Sequence, residues 1–227
     1  MPIPSLLMKG IAGLAAASVV SVSSIYFGTD LLKSKRSVSE LIKSLRKDKR
    51  LITGSSVEDP YWKAAWKKYR ADNNSKASDA WGIKGWVKVV GGIPDDNAPQ
   101  DFINSCKDKQ ERKIVNENNP LFFQVVSYCS RDTLVSDLIK ENYPSKKILE
   151  KVSQGNSDGW KAVWESYKNA NTVKTKDHDI WKLSDWPSQS AENAPDTFMN
   201  KCAEKVKVTA FDLNNEDYLN AVRWCTQ

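Results

Sequence analysis

Trp160-Lys161-Ala162-Val163-Trp164-Glu165-Ser166-Tyr167 decides the fold, because the chain contains it twice. The earlier copy is Trp62-Lys63-Ala64-Ala65-Trp66-Lys67-Lys68-Tyr69. In each, three large aromatics fall at i, i+4 and i+7, one stripe of a helix. Asp59 caps the first helix with Pro60 at its first position, and Ser157 caps the second. Burying three such rings is worth on the order of 10 kcal/mol before entropy is charged. A stripe of this kind serves a domain core or a platform for sugars and aromatic ligands. Its recurrence in register favours the core.

Working outward, the two copies stay in step. Trp81 and Trp86 recur as Trp181 and Trp186, Ala98-Pro99 as Ala194-Pro195, and Phe102 and Cys106 as Phe198 and Cys202. Tyr128-Cys129 recurs as Trp224-Cys225. Upstream, Val38-Ser39-Glu40-Leu41-Ile42-Lys43 matches Val135-Ser136-Asp137-Leu138-Ile139-Lys140. One unit therefore runs over 37–132 and the other over 133–227, each the size of a small domain and too long for a solenoid repeat. Each unit reads as about four helices. Ser37 or Ser39 caps the first, Pro99 and Pro195 start the third, and Asn-rich turns precede the fourth. A short extended piece is allowed around Val87–Val90. The expected fold is mainly α: an N-terminal transmembrane helix followed by two tandem duplicated small helical domains.

Between these fixed points the copies differ in length. Trp66 and Trp81 are 15 apart, Trp164 and Trp181 are 17 apart. Trp86 to Pro99 is 13 residues, Trp186 to Pro195 only 9. Length differences mark exposed loops. The parts left unfixed, Asn73–Ala80, Val87–Asp96, Asn171–Asp179 and Ser188–Glu192, are where function is expected.

Cys106–Cys129 and Cys202–Cys225 share a separation of 23. The repeat favours pairing within each copy, so that each unit closes its own bridge, over four buried free thiols. Such bridges persist outside the cytosol. No zinc-finger spacing is present.

The net charge of +6 resides in the first 50 residues, with nine Lys/Arg against three Asp/Glu; the rest holds 25 of each. A neutral body offers no bulk electrostatic reason to bind nucleic acid. Residues 10–28, GIAGLAAASVVSVSSIYFG, carry no charge. As a helix they span about 28 Å, close to the hydrocarbon thickness. Lys9 precedes them; Asp30, Lys33, Lys35 and Arg36 follow. Ile25-Tyr26-Phe27 suits an interfacial aromatic belt, which favours an uncleaved signal anchor over a cleavable signal peptide or a buried core helix. Residues 1–36 thus form an anchor with a basic juxtamembrane segment. The positive-inside bias places the body in the cytosol, the paired cysteines place it outside, and the basic run can lie along anionic headgroups. The expectation is a single-pass protein of the cell membrane with its body outside.

Catalysis needs a nucleophile with a base, a metal constellation or paired carboxylates. His178 is the one histidine and sits in a loop of the second copy only. Asp95-Asp96 and Asp177–Asp179 read as solvated turn acids without a calcium-loop pattern. No catalytic, cofactor-binding or metal-ligating residue is assigned, no cofactor is expected, and the chain is read as a non-enzyme. The structural aromatics are Trp62, Trp66, Tyr69, Trp81, Trp86, Trp160, Trp164, Tyr167, Trp181 and Trp186. As an alternative function, the pairs Trp81/Trp86 and Trp181/Trp186 would contact a sugar or peptide in an extracellular binding module.

The series V-S-[ED]-L-I, W-x-x-[AV]-W-x-x-Y, W-x-x-x-x-W, A-P-x-x-F-x-x-x-C and [YW]-C-[ST], behind an Ala/Gly-rich apolar segment, resembles large paralogous families of haemotropic mycoplasma proteins. The resemblance covers nearly the whole chain, with two family units where members usually carry one. It implies a membrane-anchored, surface-exposed protein of a wall-less parasite. The implied roles are antigenic variation or host-cell adhesion, with a host surface molecule or an antibody as partner. It carries over no catalytic residue.

Overall fold

A computed structural model describes residues 34–187 and 192–227. The apolar stretch 10–28, read above as an anchor, lies outside the described residues. So do Ser188–Ala191 of the last variable loop. No helix among the described residues is long and apolar enough to cross a membrane.

Eight helices and four short strands make up the described chain. The first copy contributes β1 (Arg36–Ser37), α1 (Val38–Leu45), β2 (Lys49–Leu51), α2 (Pro60–Asn73), α3 (Gln100–Glu111), β3 (Lys113–Ile114), α4 (Pro120–Tyr128) and β4 (Ser130–Asp132). The second contributes α5 (Val135–Asn142), α6 (Asp158–Ala170), α7 (Asp196–Lys205) and α8 (Glu216–Trp224). The protein is mainly helical.

Local chemistry places the helix starts. Ser37 closes a capping box with Glu40: its hydroxyl accepts the Glu40 N–H at 3.2 Å and the Glu40 carboxylate accepts the Ser37 N–H at 2.9 Å. Asp59 accepts the Tyr61 N–H at 2.8 Å ahead of Pro60. Ser157, Asn119 and Asn215 cap α6, α4 and α8. Each satisfies an N–H that the first turn would otherwise leave orphaned. Pro99 and Pro195 directly precede α3 and α7.

The buried apolar residues form two clusters, one drawn from Val38 to Cys129 and the other from Val135 to Cys225. Trp62, Trp160, Trp164, Tyr69 and Tyr167 are among the largest fully buried side chains. The rings meet in the same way in both. Trp66 stacks on Tyr69 at 5.8 Å between centroids, and Trp164 on Tyr167 at 5.7 Å. Phe102 lies 5.1 Å from Trp66, and Phe198 lies 5.1 Å from Trp164. Offset and edge-on contacts of this kind add to the burial of area.

Two disulfides close the copies, Cys106–Cys129 and Cys202–Cys225, with Cα atoms 5.5 and 5.4 Å apart. Each ties the third helix of its copy to the end of the fourth.

The strands are a departure from the sequence reading. No strand forms at Val87–Val90. Instead β1 pairs antiparallel with β3, and β2 with β4. The second copy repeats both pairings as single bridges, Leu134 with Thr209 and Ile148 with Thr226. These pairs fasten the ends of each copy across some 80 residues of chain.

No linker separates the copies. Thr133 is fully buried at the junction. Its N–H donates to the Asp48 carbonyl at 2.9 Å, its hydroxyl to the Lys47 carbonyl at 2.8 Å, and its own carbonyl accepts the Ala210 N–H at 3.0 Å. Arg50 spans the junction, donating to the Thr133 hydroxyl and holding Glu141 through two bonds of 2.8 and 2.7 Å. Arg131 grips Asp137 in the same bidentate manner, at 2.6 and 2.8 Å. Burial works to raise the Asp137 pKa, but that guanidinium and the Leu134 N–H hold it below the ordinary carboxylate range.

Candidate interaction surface

The variable loops hang from a polar lock that the sequence reading missed. In the first copy Tyr69 donates its hydroxyl to Asp79 at 2.6 Å and accepts the Trp81 N–H at 2.9 Å. The same Asp79 oxygen accepts the Ile83 N–H at 2.8 Å. Asn73 donates to the Tyr69 carbonyl at 2.8 Å and accepts the Ala80 N–H at 3.1 Å. In the second copy Tyr167 donates to Asp179 at 2.5 Å and accepts the Trp181 N–H at 3.0 Å, and Asp179 accepts the Leu183 N–H at 3.0 Å. Asn171 repeats the bonds of Asn73, to the Tyr167 carbonyl and from the Ile180 N–H. Burial, and then the facing Asp, push both tyrosine hydroxyls well above their usual pKa, so they stay protonated as donors.

This corrects two expectations. Asp179 is not a solvated turn acid; it is 3% exposed, and its second oxygen makes no hydrogen bond among the described residues. Nor are Asn73–Ala80 and Asn171–Asp179 free along their whole length, because their two ends are pinned by these hydrogen bonds. The signal was present in the spacing. Asn73 and Asn171 each follow the stripe tyrosine by four, and Asp79 and Asp179 each precede the tryptophan by two.

The tryptophan pairs sit behind this lock. Trp181 and Trp186 are 7% and 3% exposed. Trp81 and Trp86 are half-buried against the first core. Trp181 packs 5.1 Å from Tyr167 and 5.1 Å from Trp224; Trp186 lies edge-on to Trp164 at 6.1 Å. Trp181 and Trp186 therefore offer no open face to a sugar.

The lock is less complete in the second copy. The Trp81 indole N–H donates to Gln124 at 2.9 Å. The equivalent of Gln124 is Asn220, one methylene shorter, and the Trp181 indole N–H is buried without a partner among the described residues. Asn220→Gln supplies the missing acceptor, and a gain of about 1 kcal/mol is expected in guanidinium unfolding. An unchanged or lowered midpoint would show that the longer side chain does not reach the indole.

Outside the lock, the loops of the first copy pack on one another. Asn74 exchanges two hydrogen bonds with Val89, at 2.8 and 2.7 Å. Arg70 is buried; it donates to Asp96 at 2.9 Å and to the Pro94 carbonyl, and lies 5.4 Å from the Trp66 ring. Loops 74–80 and 87–96 thus make one surface, carrying exposed Val87 and Val90. In the second copy Trp186 donates to the Val173 carbonyl at 3.1 Å, and Lys174 sits 4.7 Å over its ring. Lys161 reaches Glu192 at 2.7 Å. Exposed Val173 and Ile180 flank this second surface.

His178 is exposed, with Nδ1 2.9 Å from the Lys176 carbonyl oxygen, and all four cysteines are in disulfides. No group of three or more His, Cys, Asp or Glu among the described residues is placed to hold a metal ion. No protein-family model, curated protein or solved structure matches the chain.

Proposed function

We propose that the protein is a membrane-anchored display scaffold, with residues 10–28 in the bilayer and the two helical units outside the cell. Its variable loops, 74–80 with 87–96 in the first copy and 172–178 in the second, are the recognition surface, as an adhesin or a varying surface antigen. One observation carries this reading. Stripe aromatics, disulfide and the Tyr–Asp–Asn lock recur at matching positions in the two copies, while the loops they support differ in length and sequence. A fixed frame with unlike loops is the economy of a surface that changes its outer contacts without refolding. The chain's resemblance to mycoplasma surface families and its disulfides support the same reading.

Protease shaving of intact cells tests it. The expected result is loss of the body, with cleavage in the exposed loops first; the strapped core resists longer. A body protected until the cells are permeabilised would place it in the cytosol and end the display reading.

A further inference from the structure

The two copies border an open groove of about 690 Å³. The first copy lines it with Ile42, Lys43 and Lys47 of α1 and its C-terminal turn and Leu51 of β2; the second lines it with Phe211 and Leu213 from the loop after α7. Phe211 is 59% exposed and Leu213 46%. Matching Lys113 with Thr209 places Val115 and Glu117 at these two positions of the first copy. The bulkier apolar pair therefore occurs only where this loop borders a neighbouring copy. Leaving such side chains in water costs free energy in proportion to their area, and a patch of this kind marks a contact surface.

The charges around the groove point to what it meets. Arg50 is committed to Glu141 and Lys49 to Asp132. Lys43 and Lys47 are exposed, and no carboxylate among the described residues lies within ion-pair distance of either. The apolar sequence ends at Gly28 and α1 begins at Val38. Ten residues of chain reach at most about 35 Å, so α1 stays near the bilayer that residues 10–28 would enter. Four basic side chains against the lining carboxylates Glu40 and Glu141, with an exposed aromatic beside them, match an anionic lipid surface.

We propose that this groove receives anionic phospholipid headgroups, with Lys43 and Lys47 meeting the phosphates and Phe211 and Leu213 reaching the interfacial layer. The assignment rests on the anchored reading above, and it adds which face of the body lies against the membrane.

The test uses the full chain reconstituted into vesicles of phosphatidylcholine alone or mixed with phosphatidylglycerol. Flotation after carbonate washing comes first. A chain that washes off both vesicles ends the anchored reading and this assignment with it. For a chain that floats, amide hydrogen exchange over 42–51 and 209–215 is compared between the two lipids. Slower exchange is expected in the mixed vesicles alone. Lys43→Gln/Lys47→Gln, both at exposed positions, should reverse it, since each lysine biases the contact about fivefold near an anionic surface. Equal exchange in the two lipids leaves the anchor standing and overturns the groove assignment. Protection that the double variant does not alter also overturns it, and points instead to apolar chain or a second copy in the groove.

Discussion

Loss of both disulfides lowers the melting temperature by about 15 °C or more. Each bridge joins residues 23 apart. Closing a loop of that size restricts the unfolded chain by about 3 kcal/mol. In a chain of this length each kcal/mol moves the melting temperature by about 2–4 °C. Two bridges together are comparable with the whole stability of an ordinary folded chain, about 5–15 kcal/mol. All four cysteines are buried, so reductant alone reaches them slowly. The measurement is therefore calorimetry on the wild type and on Cys106→Ala/Cys129→Ala, Cys202→Ala/Cys225→Ala and the fourfold variant. Each pair should lower the melt by about half of the total. A fourfold variant that melts with the wild type would show that packing alone sets the stability.

Tyr167→Phe destabilises by about 3 kcal/mol, and Tyr69→Phe by about half as much. Removing the Tyr167 hydroxyl orphans the Trp181 N–H and leaves the Asp179 carboxylate with the Leu183 N–H as its one donor among the described residues. An unmet buried polar group costs about 1–3 kcal/mol. Asp179 is almost fully buried, whereas Asp79 is half-buried and water can replace the lost donor there. Hydrogen exchange resolved by residue reads the two copies separately in one chain. Equal losses in the two variants would sink the claim that burial, and not hydrogen-bond count, sets the cost.

The helical frame was legible because its signals are local and doubled. Caps at Asp59 and Ser157, prolines at 99 and 195, and aromatics at helical spacing all lie within a turn of what they specify. The cysteine pairing was legible because the same separation occurs twice. The strand pairs were not. Two- and three-residue strands show no alternation, and Arg36 finds Ile114 only once the helices between them are packed. The polar lock was hidden by the unequal loops. Measured from Trp66 and Trp164, Asp79 and Asp179 fall at different offsets; measured back from Trp81 and Trp181, they coincide. Asp177 beside Asp179 completed the disguise, since an acid-rich turn reads as solvated. The groove at the junction had no local sign either, because it belongs to neither copy alone.

The disulfides have a mechanical consequence. Force applied to residues 34 and 227 passes from Cys106 to Cys129 through one S–S bond, and likewise from Cys202 to Cys225. The residues between are bypassed, which puts about 75 Å of contour beyond reach in each copy. Under load the body can lengthen only through the chain outside those two loops, and the hinge of α3 on α4 and of α7 on α8 keeps its form when the rest has given way.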